Sequence, residues 1–325
     1  MKAPKKILLL ELSGSDSCAR QPSRYSGCGP TFRRLVENLE NCYLAAEESC
    51  FEGDVNEKCV SLTREDINSI KNGSKLFNFK NDIFGQFDVV VYSNPSLVLN
   101  TSKPQICWAV GQNEKVYKKV KYLLLHDKSG QNPIIENHKT KIFEFVLGIS
   151  VPMFEVYQKQ DFILQVTNHY PQINSNVLAR WALKYKIKTI FAGPISEKYQ
   201  LLDYIDYEST FYLGEIKQEE KIKLLKKAKL ISSVYSFPIN GPPLFCKEGL
   251  GFGCGLLSAR IPSIEKILKE GHNGFFVLDE ASFVDAWNHR HYIDQKDCWN
   301  TANKWNLNKM VFSFQKVIDS VLNEN

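Results

Sequence analysis

Residues 211–233, FYLGEIKQEEKIKLLKKAKLISS, read as a short strand, a helix and a second strand. Phe211 and Tyr212 open a β-prone run that ends at Gly214. From the segment QEEKIKLLKKAKL onward, Leu224, Ala228 and Ile231 recur at i, i+4 and i+7, and LISS is apolar and β-prone again. Strand, helix and strand in unbroken succession mark an α/β architecture with parallel strands. The pattern extends in both directions. Upstream lie DFILQVT (161–167), the helical NVLARWALKY (176–185) and KTIFAGP (188–194), which ends in a Gly-Pro turn at Gly193. Downstream come GLLSA (255–259), PSIEKILKEG (262–271) and an amphipathic tail, WNLNKMVFSFQKVIDSVL (305–322).

The first half repeats the alternation. KILLLEL (6–12), FDVVVYS (87–93), PQICWAV (104–110) and KYLLLHD (121–127) read as strands, KIFEFVLGISVP (141–152) as a last strand or the approach to a linker, and TFRRLVENL (31–39) as a helix. At 325 residues the chain exceeds the usual size of a single core. Residues 153–160 show no period, and the boundary is placed there. The expected domains are residues 1–155, residues 156–304 and a tail helix, 305–325, returning to the first domain.

Composition narrows the function classes. Hydrophobic residues make up 43% and charged residues 24%, ordinary values for a globular protein. The net charge of +5 is mild, and the densest lysine run, KIKLLKKAKL, reads as a solvated helix face rather than a nucleic-acid stripe. The apolar run from Ile7 to Leu10 is broken by Glu11, too early for a signal peptide, and no stretch is long enough to span a bilayer. Nine cysteines, with no C-x-x-C pair, read as free thiols in a reducing, cytoplasmic setting.

Open α/β sheets bind ligands beyond the carboxyl ends of their strands. Two stretches qualify. In SRYSGCGPTF (23–32), Gly27 and Gly29 permit close backbone approach at the opening of a helix. In SFPINGPPLFCKEGLGFGCGLL (236–257), the loop turns through Asn240 and Gly241, and Pro242 and Pro243 suit a first helical turn. The N–H groups of Leu244 and Phe245 would then face an anion such as a phosphate. Glu248, one turn on, could accept hydrogen bonds from the diol of a ribose.

These segments resemble the donor-binding half of retaining GT-B glycosyltransferases of the family 4 (group 1) type. TIFAGP, FYLGEI with the helix after it, KEGLGFGCGLL and EGHNGFFV are similar to that family's motifs from about Asp161 to Asp279. Glu248 and Gly253 fall on its glutamate and glycine. In the first half the likeness is confined to the turn at Gly27 and VLGISVPMF (146–154). The resemblance implies two Rossmann-like domains facing across a cleft, with a C-terminal helix crossing back. It also implies metal-independent, cofactor-free transfer of a sugar from a nucleoside diphosphate donor with retention. Glu248 would hold the ribose, Ile216 the base through its backbone, and the 27–30 turn the phosphate and acceptor side. The acceptor, whether glycan, lipid-linked or protein, is not identified by these motifs.

Several positions depart from the family. Its first glutamate, eight positions before the second, is Asn240 here. Its diphosphate-binding arginine and lysine give way to TNHYPQINSN (167–176), with Asn168 and His169, and histidine is only partly charged near neutral pH. Lys247 and Arg260 are the substitutes at hand, and His126 is the candidate for the family's first-domain histidine. These departures raise a second reading, a GT-B-fold binding or assembly subunit without transfer activity. A third, sugar chemistry on nucleic acid, is disfavoured by the mild charge.

Overall fold

A computed structural model describes residues 5–10, 28–47, 57–71, 84–92, 99, 101–109, 120–125, 139–145, 147–196, 199–233 and 242–324. Two compact units emerge: Met1–Val146 together with Met310–Asn325, and Leu147–Lys309. Each is built on a wholly parallel sheet. Among the described residues, no helix is long and apolar enough to cross a membrane.

The first unit holds β1 (Ile7–Leu10), β2 (Cys42–Glu47), β3 (Cys59–Leu62), β4 (Val89–Tyr92), β5 (Gln105–Ala109), β6 (Tyr122–Leu125) and β7 (Lys141–Glu144). They lie in the order β3-β2-β1-β4-β5-β6-β7. β1, β4 and β6 are buried along their whole length, as unbroken Ile, Leu and Val runs require when both faces of a parallel sheet are covered. β2 and β3 escape the sequence pattern because Cys, Ala and Ser give them no strong apolar run. Helix α1 (Cys28–Asn38) follows β1, and α2 (Arg64–Lys71) follows β3.

A line of buried rings crosses this core. Phe32 of α1 lies 5.0 Å from Trp108 of β5, Trp108 5.2 Å from Phe145, and Phe145 5.7 Å from Phe314. Phe314 belongs to the tail helix, Leu307–Asn323, whose inward stripe is Met310, Phe314, Val317, Ile318 and Val321. Lys141 of β7 also pairs with Glu324. The tail's apolar face is thus covered by the first unit, as its 3.6-residue period demands.

The second unit contains β8 (Gln160–Val166), α3 (Ser175–Lys184), β9 (Thr189–Ala192), β10 (Thr210–Tyr212), α4 (Gln218–Lys227), β11 (Ala228–Ser233), α5 (Leu244–Gly251), β12 (Gly255–Ser258), α6 (Pro262–Glu265) and β13 (Gly274–Phe276). α7 (Glu280–Asn288) and α8 (Gln295–Asn303) follow. The strand order is β10-β9-β8-β11-β12-β13, so the switch point lies between β8 and β11. Where the sequence pattern carries the helix to Leu230, α4 stops at Lys227 and β11 begins at Ala228. Ala228 and Ile231 are therefore strand residues, and the buried stripe of α4 is Lys221 and Leu225.

His169 fastens the carboxyl edge of this sheet. Its Nε2–H donates to the Ala192 carbonyl at 3.1 Å, and its Nδ1 accepts from the Ser175 hydroxyl at 2.8 Å. This links the end of β8 to β9 and to the start of α3. Burial pushes the imidazole down to about 4, so it is neutral near pH 7.

Two outcomes are expected. Phe314→Ala should cost about 3–5 kcal/mol of unfolding free energy, measured by urea denaturation; an unchanged value would mean that the tail does not cover this core. His169 titrates near 6.5 when unfolded and at about 4 when folded, so the unfolded chain binds the extra proton first. Its stabilising contribution is complete above pH 6.5 and is lost as pH falls toward about 4, amounting to about 2 kcal/mol between pH 7 and pH 5. His169→Gln should flatten that slope, and an equal slope in both proteins would refute the assignment.

Candidate donor site

The carboxyl ends of β8, β9, β10 and β11 gather most of the described residues singled out from the sequence. Their spacing is held by main-chain bonds. Thr167 N–H donates to Ala192 at 3.0 Å, His169 N–H to Pro194 at 2.7 Å, and Gly193 N–H to Gly214 at 2.7 Å. The contact at Gly193 is too close for any other residue. Its φ is +116°, and a Cβ there would stand 2.0 Å from the Thr167 carbonyl oxygen. Gly193 thus has a structural reason of its own, at the edge where Asn168 emerges.

Ile216 lies two residues past Gly214 and is buried immediately before α4. Gly214 has φ +67° and would tolerate a Cβ sterically, so its backbone angle alone favours glycine.

α5 starts beyond β11 with Pro243 in extended backbone as its N-cap. No side chain caps it among the described residues, and Leu244 and Phe245 form its first turn. Cys246 and Lys247 N–H groups both turn back to the Pro243 carbonyl, at 3.1 and 3.4 Å. A helix start of this kind presents partial positive charge at the switch point.

Glu248, in the next turn, is nearly buried. Its Oε2 accepts from Lys221 Nζ at 2.8 Å, and the two side chains are 11% and 9% exposed. Lys221 had been read as part of a solvated lysine face; it lies inside, between α4 and α5.

The two substitutes for the family's missing cations separate. Lys247 is 1% exposed, donates to the Leu147 carbonyl at 2.8 Å and stands 5.8 Å from the Trp305 ring. It serves the connection into the second unit. Arg260, just past β12, is half exposed, pairs with Glu265 at 3.3 Å and lies 4.1 Å over Phe276. The partial charge expected of His169 does not arise, because its ring is buried and neutral.

Gly29 falls in the first turn of α1, beyond β1 in the first unit. Gly27, His126, Asn240 and Gly241 lie outside the described residues. Among the described residues, no group of three or more His, Cys, Asp or Glu is placed to hold a metal ion. Cys42, Cys59, Cys107, Cys246, Cys254 and Cys298 are free thiols.

No protein-family model matches this sequence, and no curated protein matches it. Solved structures do match in shape. Sucrose-phosphate synthase from Thermosynechococcus elongatus superposes with a TM-score of 0.73 at 9% identity, over 99% of this chain and 100% of that one. HepE of Anabaena, in complex with UDP-glucose, gives 0.71 at 9% identity, over 97% of this chain and 99% of that one. AviGT4, a glycosyltransferase involved in avilamycin A biosynthesis, gives 0.67 at 14% identity, over 98% and 97%. At such low identity the likeness speaks for architecture, and the architecture is that of the GT-B fold, in two α/β units.

Proposed function

We propose that this chain is a retaining glycosyltransferase of the family 4 type. It takes a sugar from a nucleoside diphosphate donor seated at the carboxyl edge of the second sheet. The observation that carries the reading is the first turn of α5, without a side-chain cap among the described residues, with the Glu248 carboxylate one turn on, beyond β11 at the switch point. An anion belongs at the first and a hydroxyl-bearing group at the second. The complex of HepE with UDP-glucose, in the same fold, supports a nucleotide sugar as the ligand.

In this reading the Leu244 and Phe245 N–H groups face the diphosphate, and Glu248 accepts from the ribose hydroxyls. Ile216 and its neighbours border the base, with Asn168 and Gly193 along the same edge. Asn240 meets the sugar, where the related family uses a carboxylate. Departure of the diphosphate is assisted by fixed backbone dipoles, which need no reorganisation as charge develops. The buried His169 adds no cation, so this backbone field carries more of the stabilisation than where arginine and lysine share it. Transfer needs no cofactor and no divalent metal. The acceptor is a hydroxyl-bearing molecule, a glycan, lipid-linked sugar or protein side chain. Nucleic acid is disfavoured by the mild charge.

A panel of nucleoside diphosphate sugars, screened by thermal shift and then by hydrolysis, tests the whole reading. Stabilisation with slow release of nucleoside diphosphate is expected, unaffected by EDTA; loss of turnover on chelation and its return with magnesium would overturn metal independence. Binding without turnover for every donor would favour the assembly-subunit reading instead. Glu248→Gln, which keeps the side chain's shape beside Lys221, should weaken nucleoside diphosphate binding roughly tenfold. Asn240→Ala should weaken the sugar-bearing donor more than the bare nucleotide. Unaltered nucleotide affinity in folded Glu248→Gln would place the donor elsewhere.

A further inference from the structure

Lys221 sits where α4 calls for an apolar residue. With Leu225 it forms the buried stripe of the helix, and its side chain is 9% exposed. It is the fourth residue of α4, near a helix start whose dipole disfavours a cation. Its partner Glu248 is the fifth residue of α5. Both helices begin at the carboxyl edge of the sheet, so the pair lies toward the end of the unit where ligands bind.

Fold stability gives little reason for this arrangement. Taking both charges from water costs about as much as their attraction returns, and an apolar pair of similar volume would serve the fold as well. What the ion pair supplies is a carboxylate held in one place, with its negative charge balanced. A carboxylate beside a diphosphate needs that balance, because like charges in a poorly hydrated site repel strongly.

Resting on the donor reading above, we propose that Lys221 is the positioning residue for Glu248. It fixes the carboxylate toward the ribose hydroxyls and offsets its repulsion of the diphosphate. Lys221 thereby sets the preference of this protein for ribonucleotides over 2′-deoxyribonucleotides.

The test is calorimetric binding of UDP, ADP and GDP and of their 2′-deoxy counterparts to the full chain. Wild-type protein should prefer the ribose form of whichever base it binds. Lys221→Leu should weaken the ribonucleotide roughly tenfold and bring the two forms close to equal affinity. Lys221→Arg, which can still pair with the carboxylate, should keep the preference and stay within about threefold of wild type. Lys221→Leu with Glu248→Leu should fold with its melting temperature restored, and should show no preference. It provides the reading if Lys221→Leu alone fails to fold. Equal weakening of both forms in Lys221→Leu would mean a purely structural role and overturn the proposal. Wild-type affinity and preference in the folded single variant, or a preference retained in the double variant, would do the same. Wild-type protein that binds none of the six nucleotides would refute the donor reading itself, and the inference with it.

Discussion

Helix α5 lies so close on β11 that a Cβ at position 249 would stand 2.4 Å from Cδ1 of Ile231. The glycine there lets the helix settle on the sheet, and the turn after it requires another. Gly253 has φ +73°, and a Cβ on it would meet Gln295 at 2.9 Å. Gln295 in turn makes both of its amide hydrogen bonds to the main chain of Tyr157. One close helix–strand contact therefore sets several positions at once. It aims the first turn of α5 at the switch point, turns Glu248 toward Lys221 and sends Lys247 the other way, to Leu147.

Buried and half-buried lysines do much of the joining in this unit. Lys159 donates to the carbonyls of Leu225, in the last turn of α4, and Phe252, at the end of α5, at 2.9 and 2.7 Å. A cation at two helix carboxyl termini satisfies acceptors that the helices cannot and complements both dipoles. Lys221 and Glu248 join the same two helices near their beginnings. α4 and α5 are thus tied at both ends. In the donor site proposed above, fixed dipoles act where Lys247 and His169 are engaged elsewhere.

The sequence made the architecture legible where apolar runs were long and turns were marked by glycine, as in β1, β4, β8, β9 and β11. It failed at β2 and β3, whose small residues blend into their surroundings, and at the end of α4. There Ala228 and Ile231 satisfy a helical period while belonging to a strand. Of the candidate site, the helix start at Leu244 and the place of Glu248 one turn on could be read, because proline and glycine mark the turn before it. The state of His169 could not, since it depends on Ser175 and Ala192 closing around the ring. Lys221 was invisible for another reason. Amid KQEEKIKLLKK nothing distinguishes an inward lysine from its solvated neighbours except the helix's exact rotation against α5.

The ring line from Phe32 to Phe314 bears on how the protein is made. On the ribosome, residues up to 146 emerge before the second unit, yet Phe314, which packs on Phe145, lies beyond residue 309, after it. The order of synthesis and the order of completion are therefore reversed. The second unit can close its core while the first still waits, with apolar surface uncovered, for its final element. A nascent chain in that condition is a natural client for chaperones that shield exposed hydrophobic surface.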